Sequence, residues 1–207
     1  MENSVQLLGW YGGDTTHAMS AWTSTERDLE GKRDRIPSLL AMLEDNEHGT
    51  PFEKSFLHFL VTADTATHIH IIKHRIGVSV NGESARYKEL KDDKFLVPHD
   101  WPEEDQQDIK EWMWHAYHKY HTKVEKLTPM LGRKRAKESA RFLLPYANQI
   151  DLDVSFNWRS FVLFQELRNS EHAQLEVREV AKKMLNLVRG IEGNPFKHTL
   201  EAFGYGT

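Results

Sequence analysis

From Gln149 to Phe156 the chain sets Ile150, Leu152, Val154 and Phe156 at every second position. That is the spacing of a strand with one face in a core. At Asn157 the pattern changes. Asn157-Trp158-Arg159 opens a helix in which Phe161, Val162, Phe164 and Leu167 are apolar. A further amphipathic helix runs from Glu171 to Ile191, with Leu175, Val177, Val180, Ala181, Met184, Leu185 and Val188 on its apolar stripe. A chain that carries both periods has to pack helices and strands together, and 207 residues suffice for a sizeable core.

The remaining segments fit that frame. Val5 to Trp10 reads as a strand ending at Gly12-Gly13. Asp14-Thr15-Thr16 is expected to cap a helix from His17 to about Thr23, and a second helix is expected from near Arg33 through Leu43. Phe52 to Thr62 is an apolar run compatible with a buried strand, although so short a run does not separate strand from helix. Ala63 to His74 has helical spacing. A long helix is expected from Glu104 to Leu127, its acidic start suited to the helix dipole. Gly132 to Leu144 is basic first and apolar last, and Arg141 stands directly before its apolar end. From Glu192 the tail reads as loop with a short helical turn. No repeat divides the sequence, so residues 1–207 are read as a single domain.

Composition excludes several classes. Hydrophobic residues make up 39% and charged residues 28%, a globular balance. Net charge is −4, which supplies no basic field for nucleic acid. Without cysteine there is no disulfide, thiolate metal site or cysteine nucleophile. No apolar run approaches the roughly 18 residues of a membrane span. Met1 to Gly9 lacks the pattern of a signal peptide, and a cytoplasmic location is expected.

The segment richest in chemistry is Lys73 to Tyr87. It begins with Lys73, His74 and Arg75, ends near Arg86, and holds Ser79, Asn81, Glu83 and Ser84 between. Few of these residues serve a core. So many donors in one loop suit an anion, phosphate above all, while a merely solvated loop is the plain alternative. His70 and His74 are four apart, a spacing that can bind zinc, but the sequence His-Ile-Ile-Lys-His lacks the glutamate of the metalloprotease motif. His115, His118 and His121 lie among Trp112, Trp114, Tyr117 and Tyr120, as expected for the polar side of an aromatic helix. No metal site is expected.

Four separated elements carry a resemblance. They are His48-Gly49-Thr50-Pro51-Phe52-Glu53, then Lys73-His74-Arg75 with Ser84-Ala85-Arg86-Tyr87, then Ala140-Arg141-Phe142-Leu143-Leu144-Pro145, and finally Asn157-Trp158-Arg159-Ser160 with Leu167-Arg168 and Glu171-His172-Ala173-Gln174. In this order and at these separations the chain resembles the flavin-dependent thymidylate synthases. The resemblance implies an α/β fold of α+β type, with helices packed on a mostly antiparallel sheet. It implies a homotetramer with sites between subunits, FAD as cofactor, and conversion of dUMP to dTMP with methylenetetrahydrofolate and NADPH as co-substrates. Matched position by position, it assigns flavin contacts to Thr50, Glu53, Lys73, His74, Arg75, Asn157 and Arg159. It assigns nucleotide contacts to His70, Glu83, Ser84, Ala85, Arg86, Arg141 and Arg168, with Arg168 as the catalytic group that activates the uracil. The physical reading agrees: converging Arg forks and hydroxyls suit a phosphate dianion, and a permanently charged guanidinium suits a ring that gains negative charge.

This chain also departs from the family pattern. Lys73 stands for an Arg, His70 for a Gln, and Leu163 for a common Asn. The step from Arg75 to Ser84 is one residue longer, so Gly82 falls where a Glu is usual and Glu83 follows it. These departures leave open two other outcomes. One is flavin-dependent hydroxymethylation at C5, in which water captures the methylene adduct before hydride arrives. The other is a nucleotide-binding homologue without turnover.

Overall fold

In the computed structural model, which describes residues 1–84 and 87–206, helices pack on a mostly antiparallel sheet of four strands. The strands are β1 (Ser4–Tyr11), β2 (Phe56–Asp64), β3 (Val78–Gly82) and β4 (Gln149–Phe156), paired in the order β1-β2-β4-β3. The helices are α1 (Asp14–Ala21), α2 (Ile36–Asp45), α3 (Thr65–Ile72), α4 (Glu103–Ala140), α5 (Trp158–Arg168), α6 (Leu175–Arg189) and α7 (Lys197–Ala202). Among the described residues no helix is long and apolar enough to cross a membrane.

Several boundaries differ from the sequence reading. The segment after Arg75 is not all loop, because Val78-Ser79-Val80-Asn81-Gly82 forms β3 beside β4. Two β-branched residues at period two were enough to recruit it. α1 begins at Asp14 itself, with Gly13 at the N-cap. Asp14 instead accepts from the backbone N–H groups of His198 and Thr199 and from Thr199 Oγ1, and so ties α7 to α1. Glu30–Arg35 is a 3-10 helix ahead of α2, and Thr50–Lys54 is another ahead of β2. The two basic and acidic stretches around Pro129 join in one element, α4, interrupted only at Gly132, where φ is 75°. A residue with a side chain rarely adopts that angle, so the glycine sets the bend.

The chain divides into two compact units of interleaved segments. The first comprises Met1–Ser4, Val61–Ile71 and Asn81–Leu152; the second comprises Val5–Leu60, Ile72–Val80 and Asp153–Thr207. In the first, α4 buries Tyr120, Val124 and Ala140 with Leu90, and Met113 and Tyr117 with Phe95. Asp64 ends β2 and starts α3: its Oδ1 accepts from Thr67 N at 2.9 Å and its Oδ2 from Asn3 Nδ2 at 2.7 Å. In the second, an aromatic core forms around α5. Trp158 stacks on Phe196 with ring centroids 5.2 Å apart, and Phe59 stacks on Phe161 at 5.9 Å. Such pairs add about 0.5–1.5 kcal/mol each beyond their burial.

Candidate functional site

The second unit holds a cavity of about 660 Å³ at the start of α5. Its local construction begins with Asn157, which ends β4 and caps α5. Asn157 Oδ1 accepts from Ser160 N at 2.9 Å, an N-cap bond of the usual kind. Ser160 Oγ donates to the Ile76 carbonyl at 2.7 Å, and Asn157 N donates to the Gly77 carbonyl at 3.1 Å. Gly77 has φ of 64°, and a Cβ there would lie 2.2 Å from Ser160 Oγ and 2.4 Å from Asn157 Nδ2. Only glycine permits this approach. The turn after Arg75 is thereby fixed to the N-terminus of α5.

Around this junction the cavity gathers Glu53, Asn157 and Arg159 from the sequence-assigned residues. Arg159 Nη1 donates to Glu53 Oε1 at 2.8 Å, and the Arg159 side chain remains 60% exposed. An exposed pair of this kind adds little stability, so its use is to orient the guanidinium. Arg159 also passes over Gly49, where a Cβ would meet its Nε at 2.6 Å. Leu163, Val162, Phe52 and Ile76 form an apolar wall. Thr50 lines an adjoining cleft of about 640 Å³ that shares His48, Gly49 and Arg159. His48, Gly77, Ser160 and Glu166 line the main cavity without having been assigned as contacts by the sequence. Glycine placed next to a basic cluster was the available signal for Gly77.

The basic triplet splits. Lys73 and Arg75 are exposed, and neither has a partner among the described residues. His74 turns inward and packs edge-on against Phe164 at 5.0 Å. Arg168 Nε donates to His74 Nε2 at 3.0 Å. Burial, and then the Arg168 charge, push His74 down to about 4, so it is a neutral acceptor near pH 7. Among the described residues no carboxylate pairs with Arg168. Its charge is oriented but not cancelled.

The first unit carries the other assigned residues. Glu83 Oε1 pairs with Lys88 Nζ at 2.9 Å, and Oε2 accepts from Asp151 N at 3.3 Å. The hydrogen bond to Glu83 holds Lys88 above its usual range. Glu83 thus fastens the end of β3 to β4. Ser84 O accepts from Tyr87 N and Lys88 N at 3.0 and 3.1 Å. Ala85 and Arg86 lie outside the described residues. The loop beyond them is clasped by α4. Lys137 Nζ donates to the Tyr87 carbonyl at 2.9 Å, Arg133 Nη2 to Glu89 Oε2 at 2.5 Å, and Leu90 N to Tyr120 Oη at 3.3 Å. His121 Nε2 lies 2.8 Å from Asp93 Oδ1. Arg141 is exposed one turn beyond Lys137, at the C-cap of α4. His70 lies on α3 and is partly buried; no group of residues suited to hold a metal ion occurs among the described residues.

Comparison with known proteins places this geometry in context. The family described as thymidylate synthase complementing protein matches residues 6–192. A flavin-dependent thymidylate synthase of Pseudothermotoga lettingae is 31% identical over 195 residues, covering 90% of this chain and 85% of that protein. One from Thermosipho africanus is 29% identical over 210 residues, covering 96% and 90%. Among solved structures, a UMP/dUMP methylase, PolB from Streptomyces cacaoi, bound with 5-Br dUMP, aligns with a TM-score of 0.77 at 26% identity, covering 99% of this chain and 96% of that one. The same methylase bound with 5-Br UMP aligns with a TM-score of 0.74 at 26% identity, covering 100% and 96%.

Proposed function

This chain belongs to the flavin-dependent thymidylate synthase family, and on that premise we propose that it methylates dUMP at C5 to give dTMP. In this reading methylenetetrahydrofolate supplies the carbon, NADPH supplies the reducing equivalents, and the cytoplasmic enzyme works as a homotetramer with FAD. The residues of the second unit fit a flavin in chemistry. The wall of Leu163, Val162, Phe52 and Ile76 suits an apolar ring face, while Asn157, Arg159 and His48 supply polar groups for a ring edge or a phosphate. Glu53 acts by holding Arg159. Thr50 adds a hydroxyl in the adjoining cleft, and Lys73 and Arg75 bring two exposed charges next to Ile76. Bound flavin supplies the hydride that completes the methyl group.

The observation that carries the reading is the pairing of Arg168 with a neutral histidine. Bond formation at C5 puts negative charge on the uracil carbonyls and N3. Arg168 is suited to stabilise it, because His74 fixes its Nε edge without neutralising it and leaves the terminal nitrogens for the base. Arg141, Ser84, Ala85 and Arg86 serve the phosphate dianion, with His70 toward the nucleotide. Glu83 acts mainly by fixing the loop through Lys88 and Asp151.

A second reading concerns the sugar. PolB is a UMP/dUMP methylase, and its similarity supports acceptance of UMP alongside dUMP by this chain. One assay tests both. Purified protein is incubated with FAD, NADPH, methylenetetrahydrofolate and either dUMP or UMP, and the nucleotide is weighed by mass spectrometry. The expected product is the 5-methyl nucleotide of dUMP. A product one oxygen heavier, or an unchanged nucleotide, would overturn the methylation reading.

A further inference from the structure

We propose that the cleft between the end of β1, the outer stripe of α1 and Lys54 is a cradle for the anionic arm of a co-substrate. The arm would be a phosphate or a carboxylate, and the identity of the co-substrates rests on the function proposed above. The cleft measures about 490 Å³ and is lined by Thr15, Thr16, Ser20, Thr23, Arg27 and Lys54, together with Tyr11 and Met19.

Three observations support a ligand there. The first is charge. No carboxylate lines this cleft, whereas Glu44, Glu47, Glu53 and Glu166 line the main cavity and Asp14 and Asp34 line the cleft at Pro195. In a chain of net charge −4 an acid-free hollow with two cations is an anion-selective place. The second is arrangement. Thr16, Ser20 and Thr23 follow at four and three residues, so their hydroxyls share one helical stripe. Arg27 Nη1 donates to Thr23 Oγ1 at 2.7 Å, and Thr23 Oγ1 donates to the Met19 carbonyl at 3.0 Å. The guanidinium is therefore folded over the end of α1 by a neutral group. Lys54 has no partner among the described residues, and neither have the hydroxyls of Thr15, Thr16 and Ser20. The third is continuity. The cleft shares Ser20 and Thr23 with the adjoining cleft, which shares His48, Gly49 and Arg159 with the main cavity. All three lie in the second unit. A long co-substrate with its reactive end at Arg159 can lay its charged end against Arg27 and Lys54.

Two sources offer that chemistry: the phosphates of NADPH and the γ-linked glutamates of a folate. The test compares the parent, Lys54→Ala, the double variant Arg27→Ala/Lys54→Ala, and Lys54→Arg, all loaded with FAD. Calorimetry measures Kd for NADPH and for pentaglutamyl tetrahydrofolate. Flavin absorbance and the affinity for dUMP serve as controls, and dUMP turnover is followed separately. In the double variant one of the two ligands is expected to bind at least about fivefold more weakly, in line with loss of exposed charge-assisted contacts. Lys54→Arg should bind like the parent, and added salt should narrow the difference. Weakening of NADPH alone assigns the cradle to a phosphate, and weakening of the folate alone assigns it to a carboxylate. Unchanged affinity for both, no binding of either by the parent, or a loss that extends to dUMP or flavin would overturn it. A parent that binds one ligand in this charge-dependent way but never turns over dUMP would support the cradle and sink the synthase reading instead.

Discussion

Three adjacent basic residues have two different fates, and the difference decides what each can do. Lys73 and Arg75 remain exposed, whereas His74 is drawn in against Phe164 and accepts from Arg168. In sequence the triplet is a run of positive charge. Which member faces inward depends on the turn at Gly77 and the arrival of α5, neither of which composition encodes. The depressed His74 follows from that placement, since burial and a neighbouring cation both oppose its protonation. If His74 acts by orienting Arg168, then His74→Ala should lower kcat by roughly ten- to a hundredfold while FAD still binds. His74→Gln, which keeps a neutral acceptor, should recover part of the loss. Arg168→Ala should cost more, about 10²–10³ in kcat, the scale for removing a donor to developing charge. Stopped-flow reoxidation of the reduced flavin with dUMP and folate present reads all three. Parent-like rates in His74→Ala would leave Arg168 oriented by something else.

The elements most legible in sequence are those with long clean periods. β1, β4 and α6 lie within a few residues of their expected limits and α5 starts where expected, and for β4 and α6 the apolar positions from Ile150 to Phe156 and from Leu175 to Val188 repeat cleanly. β3 was hidden by its neighbours, since two valines among serine, asparagine and glycine look like loop until a partner strand is known. Of the residues that the sequence grouped together, Glu53, Asn157 and Arg159 line one cavity. The grip of α4 on the loop after Ser84 was not legible, because Arg133 and Lys137 stand in a basic run whose composition names no partner. The bend at Gly132 divides α4, and Arg133, Lys137 and Arg141 follow it at steps of four, one per turn. Lys137 holds the Tyr87 carbonyl and Arg133 holds Glu89, so the loop and Arg141 are set by the same short helix. Both contacts are exposed, so their loss should cost well under about 1 kcal/mol of stability. Their effect should appear in nucleotide binding. Lys137→Ala is expected to raise KM for dUMP about three- to tenfold with kcat and melting temperature nearly unchanged, and Lys137→Arg should restore it. A change in kcat alone would argue against loop positioning.

Taken as a whole, the molecule carries twelve histidines, and the ones it buries couple its stability to pH. His17 is fully buried, set edge-on to Phe52 at 5.1 Å. Thr199 Oγ1 donates to Asp14 Oδ1 at 2.6 Å, so it accepts from His17 Nδ1–H at 3.0 Å. His17 Nε2 is left buried without a partner among the described residues. Burial pushes His17 down to about 3, and burial lowers His68 as well. For each, the unfolded chain binds a proton more readily than the folded one. Stability from these groups is therefore present above the unfolded value of about 6.5 and is lost as pH falls toward the folded values. For His17 the full displacement corresponds to on the order of 5 kcal/mol, with about 2 kcal/mol of it lost between roughly pH 6.5 and 5. His17→Asn retains an N–H that can reach Thr199 and removes the titration. The variant should be less stable near pH 7, because a smaller side chain leaves space among Phe52, Trp158 and Phe196. Its urea midpoint should nevertheless fall less steeply than the parent's on acidification to about pH 5. Parallel curves for the two proteins would mean that His17 already takes up a proton in the folded state, and the acid sensitivity would then belong to other groups.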